Sequence, residues 1–106
     1  MRRGELYWAD LPAPYGRRPV LVISRSASLD ARTRVTVAPV TSTVRGIASE
    51  VHVGKRQGVR TGSIVTCDNV QTLMQERLDP RPIGRLSVPK TIELDRALRF
   101  ALGIRS

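Results

Sequence analysis

The stretch Arg17-Arg18-Pro19-Val20-Leu21-Val22-Ile23 decides the fold. Its apolar run is too short for a helix and rich in β-branched side chains, so it reads as a strand buried on both faces. Working backwards, the prolines and glycine of Leu11-Pro12-Ala13-Pro14-Tyr15-Gly16 make a loop. Residues 5–9, with Tyr7 and Trp8, have strand composition. Working forwards, residues 26–32 are polar and predict a short turn of helix. Residues 33–40 alternate, Val35, Val37 and Pro39 against Arg34, Thr36 and Ala38, as a strand closed by Thr41-Ser42-Thr43. A short strand at 49–53 holds the single histidine, His52. A glycine-containing basic loop follows at 54–62, then a strand at 63–67, a bulge or turn at Asp68-Asn69, and a possible extension over 70–74. After Pro80 and Pro82 comes a last short strand at 83–86. Ser87 is then an N-cap, Pro89 sits in the first helical turn, and Ile92, Leu94, Leu98, Ala101 and Leu102 recur at helical spacing up to Gly103. The pattern is mainly β (α+β): five or six short strands curled into a small barrel, with a C-terminal helix, in a single domain over residues 1–106.

Charge says most about partners. Lys plus Arg number 18 against 9 Asp plus Glu, for a net charge of +9. Neutralising phosphates releases condensed counterions, so such a chain suits a polyanion, either nucleic acid or an acidic protein. Only Lys55 and Lys90 are lysines; the remaining cations are guanidiniums, which fork onto phosphate and stack on bases. The lone Cys67 excludes an internal disulfide, and no apolar run is long enough to span a bilayer. A cytoplasmic protein is expected, with no membrane association.

Several chemistries fall away on residue type. One histidine and one cysteine do not make up the usual zinc ligand set, and the carboxylates are scattered, so no metal and no cofactor are expected. No phosphate loop, dinucleotide fingerprint or glycine-flanked nucleophilic serine is present. RNA cleavage through the substrate's own 2′-hydroxyl remains compatible. It asks only for a proton acceptor, and for cationic and hydroxyl donors around the phosphorane-like transition state.

Arg3-Gly4-Glu5-Leu6-Tyr7-Trp8-Ala9-Asp10-Leu11 resembles the opening strand of the MazF/PemK toxin family. Arg18-Pro19-Val20-Leu21-Val22-Ile23-Ser24 looks like its second strand, and Val35-Thr36-Val37-Ala38-Pro39-Val40-Thr41-Ser42 is similar to its third. Ser63-Ile64-Val65-Thr66-Cys67-Asp68-Asn69-Val70-Gln71-Thr72-Leu73 resembles the strand that in relatives often reads Asp-Gln-Ile-Arg-Thr. Arg77-Leu78, Ile83-Gly84-Arg85-Leu86 and the closing Ala97-Leu98 with Ala101-Leu102-Gly103 complete blocks that keep the family's order. The resemblance implies an SH3-like curled barrel and a homodimer. It further implies a metal-independent, sequence-specific endoribonuclease that leaves 2′,3′-cyclic phosphate and 5′-hydroxyl ends. Its implied partners are single-stranded RNA and an acidic, MazE-like antitoxin that silences the groove.

The same resemblance assigns roles. Arg18 occupies the position of the family's catalytic arginine, with transition-state charge stabilisation as its task. Thr41 stands where relatives place a catalytic threonine. Asp68 matches a general-base aspartate of some PemK-like relatives, although Thr66 stands where they carry arginine; satisfying a turn is its competing role. Arg17, Ser42, Thr43, Arg45, Lys55, Arg56, Arg60, Asn69 and Gln71 are the candidate RNA-binding set. Gln71 replaces an arginine, so it can read a base edge but not neutralise phosphate. Tyr7 and Trp8 are candidates for base stacking, with core or dimer packing expected for at least one. His52 is expected at the surface or in a structural role. Three rivals remain open: a CcdB-like gyrase poison on the same architecture, a non-catalytic RNA-binding barrel, and a family member that has lost activity, given the departures at Thr66 and Gln71.

Overall fold

The computed structural model describes residues 1–25 and 33–105, so the helical turn expected over 26–32 lies outside the described residues. Among the described residues seven strands form one antiparallel sheet: β1 (Glu5–Leu11), β2 (Gly16–Val22), β3 (Arg34–Thr41), β4 (Glu50–Val53), β5 (Ser63–Thr66), β6 (Gln71–Met74) and β7 (Gly84–Arg85). The spatial order is β4-β5-β3-β2-β1-β7, with β6 also paired to β3. Helix α1 (Val88–Leu102) packs against this curled sheet and touches β4 and the turn after β5.

β2 behaves as its apolar run requires. Val20, Leu21 and Val22 are fully buried, and successive side chains enter different cores. Leu21 joins Leu6, Ala38, Val65 and Leu94 between sheet and helix. Val20 and Val22 join Tyr7, Ala9, Val35 and Leu73 on the opposite face.

β5 and β6 run along the same edge of β3, whose register with them moves by three residues between Val40↔Val65 and Val37↔Gln71. The difference is taken up by a 3-10 turn, Cys67–Asn69, which pushes Asp68 and Asn69 outward. The bulge and the extension read from the sequence are both present, as two strands rather than one.

The expected strand at 83–86 shrinks to Gly84–Arg85. There the backbone lies so close to the 3-10 turn Lys55–Gln57 that a Cβ on Gly84 would sit 2.2 Å from the Gln57 carbonyl oxygen. In α1, Ser87 Oγ accepts from the Lys90 N–H at 3.3 Å, and Gly103 ends the helix at φ +68°. Leu94 and Ala97 are buried and Leu98 and Ala101 pack beside them, whereas Ile92 and Leu102 are exposed. Ile92 lies two residues from Leu94, roughly 200° around the helix, which takes it off the contact stripe. Among the described residues no helix is long and apolar enough to cross a membrane.

Candidate active site

The end of β3 meets the start of β2 beneath an open surface with two adjoining hollows. The register pairs Val20 with Pro39; Arg18 lies two residues before Val20 on β2 and Thr41 two residues beyond Pro39 on β3, and both line the second hollow. The first hollow, about 260 Å³, is walled by Tyr15, Thr43, Arg45, Glu50, Asp68 and Asn69 over a floor of Ile64 and the buried Thr66. The second, about 480 Å³, is walled by Trp8, Arg17, Arg18, Pro19, Ser42 and Arg60. Thr41 and Thr43 line both and form the ridge between them.

Arg18 is held firmly. Its Nε donates to the Tyr15 carbonyl at 3.0 Å, and its guanidinium carbon lies 5.1 Å from the centre of the Tyr15 ring. Cation–π contact and hydrogen bond together fix the plane of the guanidinium. The two terminal nitrogens then remain as a fork for a phosphate. Thr41 Oγ1 accepts the Thr43 backbone N–H at 3.2 Å, an ordinary strand-end turn. Because the oxygen accepts there, its own proton is left to donate into the groove. Asp68 accepts from the Ser49 hydroxyl through Oδ2, which orients the carboxylate, and the residue itself is exposed. Its partner is thus a buried serine, not the backbone donors of a turn.

The structure brings together Arg17, Arg18, Thr41, Ser42, Thr43, Arg45, Arg60, Asp68 and Asn69 around the two hollows. It does not bring in three others. Arg56 lies with Arg85 and Lys90 at a separate hollow beside the start of α1. Lys55 is exposed on the preceding 3-10 turn and lines none of these hollows. Gln71 is paired with Val37, further down β3 and away from Thr41. Arg17 reaches the second hollow but is claimed by carboxylates, at 2.7 Å from Asp79 and 3.3 Å from Asp10. Those hydrogen bonds hold its pKa above the ordinary arginine value. Its guanidinium carbon also stands 5.8 Å from the Trp8 ring centre.

The two aromatics of β1 divide. Tyr7 is buried in the core, its hydroxyl donating to Glu5 at 2.9 Å, while Trp8 is exposed in the second hollow. His52 is exposed on β4, opposite Ile64.

Sequence reasoning missed Tyr15 and Glu50. Tyr15 was legible only as an aromatic inside a Pro/Gly loop three residues before the key arginine. Glu50 follows a glycine turn by four residues, a spacing at which a carboxylate can reach back to free N–H groups. Among the described residues no group of three or more His, Cys, Asp or Glu side chains is placed to hold a metal ion.

Comparison with known proteins fits this geometry. The chain matches the family described as PemK-like, MazF-like toxin of type II toxin-antitoxin system over residues 2–102. It is 50% identical over 56 residues to endoribonuclease MazF3 of Mycobacterium tuberculosis, spanning 53% of this chain and only about half (54%) of that relative. To the probable endoribonuclease MazF5 of the same organism it is 38% identical over 101 residues, 94% of this chain and 91% of the relative. The solved M. tuberculosis toxin MazF-mt6 superposes with a TM-score of 0.88 at 37% identity, covering 96% of this chain and 99% of that one. A mycobacterial endoribonuclease in complex with its cognate antitoxin gives a TM-score of 0.87 at 28% identity, covering 100% and 98%. With the family's pattern running through nearly all of it and the same fold beneath, this chain belongs to the PemK-like, MazF-like toxins of type II toxin–antitoxin systems.

Proposed function

We propose that this protein, acting as a single domain over its whole length, is a toxin that cuts single-stranded RNA at specific sequences without a metal, leaving 2′,3′-cyclic phosphate and 5′-hydroxyl ends. The observation that carries this reading is the ridge: Thr41 stands between the hollow that holds Arg18 and the hollow that holds Asp68. A scissile phosphate resting on Thr41 would have a guanidinium on one side and a carboxylate on the other. Asp68, oriented by Ser49, takes the 2′-hydroxyl proton as O2′ bonds to phosphorus. The Arg18 fork and the Thr41 hydroxyl meet the charge gathering on the non-bridging oxygens. The bond from phosphorus to O5′ then breaks, and the 5′-oxygen takes a proton from solvent. A guanidinium stays charged at neutral pH, so Arg18 acts by charge and geometry rather than as a proton donor.

Flanking nucleotides extend into the two hollows. Trp8 and Tyr15 each offer an aromatic face, and Arg45 and Arg60 offer charge to the backbone on either side of the ridge. Ser42, Thr43 and Asn69 supply hydrogen bonds to bases or sugar. The same cationic surface suits an acidic, MazE-like antitoxin, in line with the relative solved with its cognate antitoxin. A homodimer acting in the cytoplasm completes the reading. It accords with the exposed apolar side chains of α1, Val88, Phe100 and Leu102, and with a buried Cys67 that has no disulfide partner.

Blocking the nucleophile tests the chemistry. Once a cut site is mapped, an otherwise identical RNA with 2′-O-methyl at the nucleotide on the 5′ side of the cut should resist cleavage there. Cleavage of the blocked bond would mean that water, not the 2′-hydroxyl, attacks. RNA that is bound but never cut would favour the non-catalytic barrel.

A further inference from the structure

The 42–49 connection forms one wall of the first hollow, yet residues 42–48 are all exposed and have no core to hold them. Glu50, at the start of β4, supplies the hold. Its Oε1 accepts from the backbone N–H groups of Arg45 (3.2 Å), Gly46 (2.9 Å) and Ile47 (3.4 Å), and its Oε2 from Arg45 again at 3.0 Å. The Glu50 N–H returns a bond to the Ile47 carbonyl at 3.1 Å. Gly46 sits at φ +73°, the left-handed conformation that lets three successive amides point at one acceptor. Next to it, Ser49 ties the same connection to Asp68.

We propose that Glu50 is a positioning residue of this RNA-cleaving site: by gathering the amides of Arg45, Gly46 and Ile47 it holds the wall that carries Thr43 and Arg45, and thereby sets affinity for RNA without touching it. A carboxylate in a groove built for phosphates would repel its ligand unless its charge were already engaged, and here backbone dipoles engage it. The inference rests on the ribonuclease reading for its consequence, but the latch itself can be tested without it.

Three variants separate reach, charge and direct chemistry. Glu50→Gln keeps a carbonyl where Oε1 stands, which already meets all three amides, and gives up only the second bond from Arg45 that Oε2 accepts. Glu50→Asp keeps the charge but falls one methylene short. Glu50→Ala removes both. For Asp and Ala the KM for a short RNA should rise about tenfold or more while kcat stays within about threefold, and Gln should remain near the parent. In the same proteins, hydrogen exchange at Arg45, Gly46 and Ile47 should speed up about tenfold in Asp and Ala but not in Gln. A normal KM with unchanged exchange in the Asp and Ala variants would overturn the proposal. A Gln variant that loses kcat at unchanged KM would also overturn it, by making Glu50 a proton acceptor. If Glu50→Ala fails to fold, Asp against Gln decides. If the parent cuts no RNA, the ribonuclease reading fails, while amide exchange still decides the latch.

Discussion

Replacing Arg18 by lysine isolates what geometry contributes at the groove, because the charge is kept. In the parent one of five N–H donors is spent on the Tyr15 carbonyl at 3.0 Å, and the ring lies 5.1 Å away, so the terminal fork is held in one plane. An ammonium loses the Nε anchor and the fork and offers a single point of charge. Removing one preorganised donor to a developing oxyanion costs about 10²–10³ in kcat, roughly 2.7–4 kcal/mol. Lysine, retaining charge, should sit at the lower end, about 10²-fold slower, and Arg18→Ala at about 10³-fold. The anchor lies at the edge of an open groove where water can replace it, so melting temperatures should move little. The assay is single-turnover cleavage of a fluorogenic RNA at saturating enzyme, with thermal unfolding as control. A lysine variant that cuts within about threefold of the parent would refute the reasoning, since charge alone would then suffice.

Other predictions concern the ridge, the loop contact and the buried ionisable groups. Thr41→Ser keeps a hydroxyl at the ridge and should stay within about tenfold of parental kcat, whereas the near-isosteric Thr41→Val should lose about 10²-fold; equal rates in both would remove Thr41 from the chemistry. Gly84→Ala would drive a Cβ to 2.2 Å from a backbone oxygen of Gln57, which has no flexible end to move aside. Overpacking of that kind costs about 1–3 kcal/mol and should lower the melting temperature by roughly 5–20 °C; an unchanged melting curve would contradict the close approach. Burial, helped by the Asp68 charge, pushes the Cys67 thiol from 9.0 up to about 11. Burial and the bond to Glu5 push Tyr7 from 10.0 up to about 12. The folded chain therefore keeps protons that the unfolded chain releases, and stability should be full below about pH 9 and fall as pH rises toward 11–12. Urea midpoints that stay level or rise between about pH 9 and 11 would contradict this.

What the sequence made legible follows the reach of each interaction. β2 is plain because a run of apolar residues needs burial on both faces whatever surrounds it, and Thr41 follows from the alternation that ends beside it. The tie of Arg17 to Asp79 joins residues far apart in the chain, so charge counting cannot distinguish it from the freer Arg45 and Arg60. Lys55, Arg56 and Arg60 look like one cluster in sequence. The 3-10 turn Lys55–Gln57 separates them, sending Arg56 to the start of α1 while Arg60 faces the second hollow. Gln71 is carried away from Asp68 because the Cys67–Asn69 turn takes up three residues of register before β6 begins. β7 spans only Gly84–Arg85, and at position 84 the nearby Gln57 backbone leaves room only for glycine, a contact no local pattern encodes. The family pattern placed Arg18, Thr41 and Asp68. Only the fold shows that Arg18 and Asp68 line different hollows, with Thr41 between them.

The decisive experiment is to incubate the purified protein with mixed-sequence single-stranded RNA in excess EDTA and map every new end. Discrete cuts at a shared short motif, each with a 2′,3′-cyclic phosphate and a 5′-hydroxyl, are the predicted result. Intact RNA, or ends bearing 5′-phosphate that vanish when the metal is removed, would contradict the proposed reaction.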